Sequence, residues 1–278
     1  MKKIFLAALC LASASQALAA PCAGYSADAR QTSADTYDPS SITQVVLNLV
    51  VQAQDRDLPN GCTSAPVSLR ARSGTIALRN GATTLLATAS RSNLTGRITP
   101  SEVDLNGNAR GDIVRDGMVQ LAFLDIAAGQ FVPPGNYVAD LDLIVGDATP
   151  RPIQLIVRVM PSMRFEGSGG GALSLGELSD GGEARSTFFY RTNASLAVTA
   201  RSDHGGRLQH SEGAALGAIP YAAYISGRRL SLETPDNFTI EHRSTALQSE
   251  ELLIQVEPQR QRFAGVYRDT LTLDFTAF

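Results

Sequence analysis

Cysteine is the residue type in this sequence whose chemistry is easiest to assign. The chain contains three cysteines, Cys10, Cys22 and Cys62. A cysteine pair forms either a disulfide or part of a metal site, and a metal site would need further cysteine or histidine ligands nearby. The first histidine in the chain is His204, far from both Cys22 and Cys62. A disulfide is therefore the chemistry that we expect.

The amino terminus indicates an oxidising compartment. Met1-Lys2-Lys3 is followed by an apolar stretch to about Ala12 and then by Ala17-Leu18-Ala19. This order is typical of a secretory signal peptide, here residues 1–19, and the apolar run is too short to span a membrane. Cleavage after Ala19 removes Cys10 and leaves one pair of cysteines in an exported chain. The sequence thus predicts a Cys22–Cys62 disulfide.

The remaining residue types indicate neither a catalytic site nor a metal site. The three histidines, His204, His210 and His242, have no acidic partners at metal-ligand spacing and are predicted to lie scattered on the surface. Serine, histidine and aspartate occur, but no Gly-x-Ser-x-Gly element frames a nucleophile. A glycine-rich run at 167–171 lacks the lysine and the following helix of a phosphate loop. We therefore expect no enzyme, no cofactor and no metal.

The charge pattern argues against a nucleic-acid partner. Lysine occurs only at Lys2 and Lys3, so loss of the signal peptide makes a chain with a formal net charge of −3 more acidic still. A nucleic-acid-binding surface needs the opposite balance. The exported chain also has no lysine amine with which to form an isopeptide bond.

An alternating strand pattern occurs twice. In residues 265–275 the apolar side chains Tyr267, Leu271, Leu273 and Phe275 fall at odd positions and polar ones at even positions, which indicates a strand with one buried face. Residues 135–145 repeat this pattern from their own initial glycine, and two copies of one motif suggest two copies of one domain. The first copy is followed by another alternating run at 153–159. The second is followed by only three residues, so we expect it to lack a closing strand.

Composition and turn spacing predict an all-β chain with two immunoglobulin-like β-sandwich domains. Short runs of valine, threonine, leucine and alanine alternate with glycine and proline, and no long stretch has a helical period. About 260 exported residues suit two domains. We place an N-terminal domain at 20–161 and a C-terminal domain at 162–278, each with roughly seven or more short strands.

Several segments of the second domain carry a family resemblance. They are Leu-Gly-Glu-Leu at 175–178, Ser-Leu-Ala-Val-Thr-Ala at 195–200, Ile-Pro-Tyr-Ala-Ala-Tyr-Ile at 219–225, and an Ala-Gly-x-Tyr-x-Asp-x-Leu element at 264–271. Through them residues 162–278 resemble the spore coat protein U-like pilin domain of archaic (Csu-type) chaperone–usher pili. Residues 20–161 resemble it mainly through the strand at 135–145 and the cysteine pair. The second domain has no cysteine, whereas many such domains keep a disulfide.

The resemblance implies an incomplete pilin fold that lacks its last strand. A periplasmic chaperone would lend a strand, an outer-membrane usher would assemble the fibre, and an adjacent shaft pilin would donate its N-terminal strand. The acceptor groove would be lined by Tyr267, Leu271, Leu273 and Phe275. The alternative is an ordinary buried strand in a complete sandwich. The chain would pass through the inner membrane to the periplasm and then to the surface of a Gram-negative cell.

The N-terminal region predicts the place of the chain in such a fibre. Residues 24–41 are polar and contain no alternating run to donate, and a disulfide at Cys22 would hold this end on its own domain. A chain that accepts a strand but donates none caps the fibre, as a tip adhesin active in cell adhesion and biofilm formation. The alternatives are a periplasmic pilus chaperone and a secreted coat protein that self-associates.

The receptor of such a tip, whether a sugar, a protein or an abiotic surface, would bind first-domain loops, because loops on a rigid sandwich carry recognition. Apolar residues beside turns are the candidates, and for each the alternative is that it anchors a hairpin in the core. The candidates are Leu58, Leu94, Phe131 and Val132.

We predict that Cys22 and Cys62 are bonded to each other and that the bond stabilises the first domain by about 3–4 kcal/mol in the chain-entropy model. Thiol labelling of the exported protein, denatured without reductant, should give no signal. Two reactive thiols per chain would contradict the pairing.

Overall fold

The computed structural model describes residues 27–32, 36–53, 67–90, 98–105, 118–145, 149–167 and 170–278. In these ranges every regular element is a β-strand except the short 3₁₀ helix η1 (Ala214–Leu216), and no helix is long and apolar enough to cross a membrane. The prediction of an all-β, immunoglobulin-like fold is therefore confirmed. The signal peptide and the pair Cys22 and Cys62 lie outside the described residues and stay predictions.

The described residues up to Val159, here called the first half, form two sheets. Their strands pair antiparallel, except that β2 pairs in parallel with β11 at the edge of one sheet. The strand orders are β1-β3-β9-β7 and β2-β11-β10-β4-β8, with β5 beside β10 and β6 beside β5. The strands are β1 (Ala27–Gln31), β2 (Thr36–Tyr37), β3 (Val45–Ala53), β4 (Val67–Ala71), β5 (Leu78–Asn80), β6 (Thr83–Leu85), β7 (Ala87–Ala89), β8 (Glu102–Asp104), β9 (Met118–Ile126), β10 (Gly135–Val145) and β11 (Arg151–Val159).

The first half has one continuous core between its two sheets. Inward side chains of both sheets belong to a single buried cluster, which includes Leu49, Phe123, Leu69 and Tyr137. Strand β10 is central because it pairs with β11 along one edge and with β4 along the other. Its alternation, read from the sequence, matches the structure: the inward residues are buried and the residues between them are not.

The described residues from Met163 onward, here called the second half, form three sheets with the orders β12-β13-β20-β17-β18, β19-β14-β22 and β16-β15-β21. In the described chain no sheet contains strands of both halves. The strands are β12 (Met163–Glu166), β13 (Gly182–Thr192), β14 (Leu196–Ser202), β15 (Arg207–His210), β16 (Ala218–Pro220), β17 (Ala222–Ile225), β18 (Arg228–Arg229), β19 (Asp236–Ile240), β20 (Gln248–Val256), β21 (Tyr267–Arg268) and β22 (Leu271–Ala277).

The strand order and register of the second half repeat those of the first. The sheet β19-β14-β22 corresponds to β8-β4-β10, and the sheet β12-β13-β20-β17 corresponds to β1-β3-β9-β7. The alignment from the two glycines, made on sequence alone, also reproduces the pairing partners. In the first half the pairs are Leu141–Ala71, Leu143–Leu69 and Val145–Val67, and in the second half they are Leu271–Ser202, Leu273–Ala200 and Phe275–Val198.

The Leu-Gly-Glu-Leu segment at 175–178, part of the family resemblance, lies outside the strands, and Gly176 within it has φ 69°, a left-handed conformation that interrupts an extended chain. The single strand expected at 265–275 is divided into β21 and β22, which are separated by Asp269 and Thr270. The hydrogen bonds of Asp269, described below, explain that division.

A buried asparagine joins the two halves, which are separated by only three residues, 160–162. Asn193 is 1% exposed, and its amide nitrogen donates to the carbonyl oxygens of Val132 at 2.9 Å and Met160 at 3.0 Å. Its amide oxygen accepts from the backbone N–H of Ser162 at 2.8 Å, and the Ser162 hydroxyl donates to Asp38 at 2.6 Å. Because both donors of the Asn193 amide are used, one side chain fixes loops of both halves.

We predict that Asn193→Ala lowers the free energy of unfolding by on the order of 3 kcal/mol, because it leaves buried backbone groups without hydrogen-bond partners. Small-angle scattering should also show a wider distribution of angles between the halves. Asn237→Ala is the matched control, since Asn237 is exposed and bonds only within its own half, to Thr199. Equal scattering profiles for the wild type and Asn193→Ala would contradict this role.

Candidate strand-acceptor edge

Strand β22 has a partner on only one of its two edges. It pairs with β14 from Leu271 to Ala277, and in the part of the chain that the structure describes no strand pairs with its other edge. The corresponding strand β10 pairs with β4 in the same register and has β11 on its other edge. The second half therefore presents a row of backbone N–H and C=O groups where the first half has a closing strand.

The side chains on this strand are less buried than their counterparts. In β10 the residues Tyr137 and Leu141 are 0% exposed, Leu143 is 1% and Val145 is 5%. Their counterparts Tyr267, Leu271, Leu273 and Phe275 all stay partly exposed. The same sequence pattern is thus almost fully buried in one half and only partly buried in the other.

The partly exposed side chains of β22 are aromatic at one end and aliphatic in the middle. At one end the ring of Phe275 lies 5.4 Å from the rings of both Phe165 and Phe188, edge-on to each. In the middle, Leu271 and Leu273 pack against the same buried cluster as Leu252, and all three side chains are only partly buried. The edge without a strand partner is therefore bordered by apolar side chains.

The core of the second half is more divided than that of the first. Its clustered buried residues fall into three groups, whereas those described in the first half belong to one large cluster. Leu271 and Leu273 pack on one of the three groups, Phe275 on the second and Tyr267 on the third. The motif residues thus border all three clusters.

A buried carboxylate lies at the break between β21 and β22. The side chain of Asp269 is 2% exposed and accepts hydrogen bonds from the Ser202 hydroxyl at 2.5 Å and from the Tyr221 hydroxyl at 2.7 Å. Its other oxygen lies 2.9 Å from Nδ1 of His204 and accepts from the backbone N–H of the same residue at 3.2 Å. We call Asp269, Ser202, His204 and Tyr221 the Asp269 cluster.

The Asp269 cluster contains serine, histidine and aspartate but does not form a nucleophile–base pair. The Ser202 hydroxyl donates to Asp269 and accepts from the backbone N–H groups of His204 and Gly206. The hydroxyl proton is thus directed at a carboxylate and not at the imidazole, the opposite of what nucleophile activation requires. The cluster holds the chain in place where β21 ends and β22 begins.

The three histidines do not share one environment. His204 belongs to the Asp269 cluster, but His210 is 4% exposed and its ring stands edge-on to Tyr267, with the centroids 4.9 Å apart. The prediction of a surface site is therefore wrong for His210. A Cβ atom at Gly265 would collide with this ring, so the glycine that starts the motif makes room for the histidine. No spacing rule could connect residues so far apart in sequence.

The described receptor-loop candidates lie at the junction of the halves. Phe131 is 8% exposed, and the guanidinium of Arg164 lies 5.7 Å above its ring, while the carbonyl oxygen of Val132 accepts from Asn193. This placement favours the alternative, that these two residues anchor a loop. Receptor contact through Leu58 and Leu94 stays a prediction, because both lie outside the described residues.

Burial raises the pKa of Tyr221, and its hydrogen bond to Asp269 raises it further. We predict that the free energy of unfolding falls as the pH rises above about 10, because unfolded Tyr221 ionises there while the folded residue keeps its proton. One such tyrosine contributes a slope of up to about 1.4 kcal/mol per pH unit. Burial also raises the pKa of Tyr190, to about 12, so a comparison with Tyr221→Phe is needed to isolate one residue.

Tyr221→Phe should show a shallower alkaline slope than the wild type in chemical denaturation between about pH 9 and 12. Tyr267→Phe is the control, because the Tyr267 hydroxyl donates to the carbonyl of Phe263 at an exposed position. Parallel slopes for the wild type and Tyr221→Phe would contradict the role of burial at this site.

No family model and no curated protein matches the chain, so the resemblance to spore coat protein U-like domains stays a prediction. Solved structures of pilus proteins are distant neighbours. One is a chain of the CsuC–CsuE chaperone–tip adhesion subunit pre-assembly complex from archaic chaperone–usher Csu pili of Acinetobacter baumannii, with 13% identity over 90% of this chain and 100% of that one and a TM-score of 0.43. Another is CfaE, the adhesive subunit of CFA/I fimbria of enterotoxigenic Escherichia coli, with 13% identity, 90% and 78% coverage and a TM-score of 0.34. A chain of a chaperone–tip adhesin complex of CFA/I fimbriae has 14% identity, 90% and 80% coverage and a TM-score of 0.35.

Proposed function

We propose that this chain is the tip subunit, an adhesin, of a surface pilus assembled by the chaperone–usher pathway through donor-strand complementation. One observation carries the proposal: β22 has an unpaired edge in the described chain, whereas β10, its counterpart in register and sequence, is closed by β11. In this proposal residues 20–161 are the receptor-binding domain. Residues 162–278 are an incomplete pilin domain, and Tyr267, Leu271, Leu273 and Phe275 line its acceptor groove.

The free energy that an added strand could contribute supports a strand as the occupant. A strand with four inward apolar side chains, at about 1.5–3 kcal/mol each, would contribute on the order of 10 kcal/mol before ordering costs. That is comparable with the whole stability of a typical domain. A periplasmic chaperone would supply this strand first, and a shaft pilin would replace it during export through the usher.

The tip position is proposed from the first 41 residues of the sequence. The expectation that residues 24–41 contain no alternating run is wrong for β1, whose burial alternates along the strand. Both β1 and β2 pair with strands of the first half, so the described part of this segment is not free to be donated. In this proposal the chain accepts a strand and ends the fibre. The chaperone alternative fits the open edge less well, because a chaperone supplies a strand and has two complete domains. The coat-protein alternative differs in its occupant, because a second copy of this chain would fill the groove.

We predict that a complementing strand stabilises the second half in the full-length exported chain. A shaft pilin's N-terminal strand is attached after Phe278 through a flexible linker, and the melting temperature of the second half should rise by more than about 10 °C. Backbone N–H groups of β22 should also become protected in hydrogen exchange. The control carries the same linker with every second apolar residue of the added strand replaced by serine.

Equal melting temperatures and equal β22 protection for the two fusions would count against an acceptor groove. Head-to-tail multimers of the unmodified chain, with the first half intact in each copy, would instead favour the coat-protein alternative. Size-exclusion chromatography with light scattering separates these outcomes.

A further inference from the structure

Because of the repeat, each position of the second half can be compared with the corresponding position of the first half, where β11 closes the sheet beside β10. Counting from Gly135 and Gly265, position 139 of the first half corresponds to position 269 of the second. Ala139 is 2% exposed and lies within the continuous strand β10, directly opposite Leu155 of β11. Leu155 is also 2% exposed, so a leucine side chain fills the core against an alanine methyl group.

The second half has a carboxylate at the place of this methyl group. Asp269 has the same parity as Leu271 and Leu273, and its side chain points into the interior, where it is 2% exposed. A second exchange accompanies it: Ser202, which donates to Asp269, replaces Ala71 in the matching register. Where the first half has two small apolar residues, the second half thus has a hydrogen-bonded pair of a buried carboxylate and a partly buried serine.

This exchange changes what an incoming strand can place opposite position 269. A strand that adopts the register of β11 would bring its Leu155-equivalent side chain against Asp269 instead of an alanine. The carboxylate already accepts four hydrogen bonds within its own half, so it gains nothing from a further donor. A small side chain fits there without leaving a polar group unsatisfied, whereas a leucine would overpack a rigid site.

We propose that Asp269 is a selectivity residue of the acceptor edge: it admits strands with a small residue opposite position 269 and rejects strands like β11, which carry a leucine there. This inference rests on the proposed acceptor function. Its consequence concerns a second copy of this chain. The β11 strand of another copy has the alternation that the groove needs, with Ile153, Leu155, Val157 and Val159 facing inward, and Asp269 excludes it.

Rejection of β11 matters because the repeat could lead to domain swapping between copies of the chain. Two related halves in one chain, one with a closing strand and one without, invite exchange of that strand between copies during folding. A single polar position within an apolar groove is a common way to discriminate against such a pairing. The hydrogen-bonded pair of Ser202 and Asp269 provides it without disturbing the closed first half.

The test uses the full-length exported chain and two dye-labelled nine-residue peptides, the β11 sequence Arg151–Val159 and the same sequence with Leu155→Ala. Each protein is refolded with each peptide, and binding is measured by fluorescence anisotropy. The wild type should bind the Leu155→Ala peptide about tenfold or more tightly than the β11 peptide. The Ser202→Ala/Asp269→Ala variant, which restores the residues of the first half, should reverse this preference.

Asp274→Ala is the matched control, because Asp274 lies on the adjoining strand β22 with its side chain 55% exposed and paired with Arg201. It should discriminate between the peptides as the wild type does. Equal binding of both peptides by the wild type, or tighter binding of the β11 peptide, would overturn the role of Asp269 whatever the double variant does. Absence of binding by either peptide to any of the three proteins would overturn the acceptor function itself.

Discussion

The hydrogen-bonding demand of one strand edge governs the second half of this protein. Each residue of a strand carries a backbone donor and an acceptor, and both must be paired or solvated. On β22 one row of these groups bonds to β14 and the other row has no strand partner in the described chain. Leu271, Leu273 and Phe275 on the same strand are only partly buried, so the edge without a strand partner and the incompletely covered side chains occur together.

The internal repeat shows that the partial burial along β22 is confined to one edge and does not reflect loose packing of the whole half. Both halves use the same strand order and the same register around the motif strand, and they differ most at the strand beside it. The closed half shows that this sequence pattern can bury Leu141 and Leu143 to within 1% exposure. Partial exposure of Leu271 and Leu273 is therefore not an inability of the motif to pack; it accompanies an edge that has no strand partner in the described chain.

The sequence predicted the parts of the fold that depend on local periodicity. The alternation in 135–145 and 265–275 was sufficient to give the facing residues of β10 and β22 and the common register in which these strands pair. It did not predict the break at Asp269 or the junction at Asn193, because each depends on side chains brought together from distant positions. Asp269 lies 48 residues from Tyr221 and 67 from Ser202 along the chain, and Asn193 lies 61 from Val132. Such contacts follow from the fold and leave no local signature.

A continuous set of hydrogen bonds links the junction between the halves to the open edge of β22. Asn193 belongs to the loop that leads into β14, and the backbone N–H of Phe278, just after β22, donates to the carbonyl of Ser195 in that loop. A strand held against β22 would therefore be connected through β14 and the Asn193 amide to the loops at Val132 and Met160. Only three residues separate the last strand of one half from the first strand of the other, so the connecting segment is short. Sheet hydrogen bonds and the saturated buried amide of Asn193 thus form one continuous connection between the open edge of β22 and the loops of the first half.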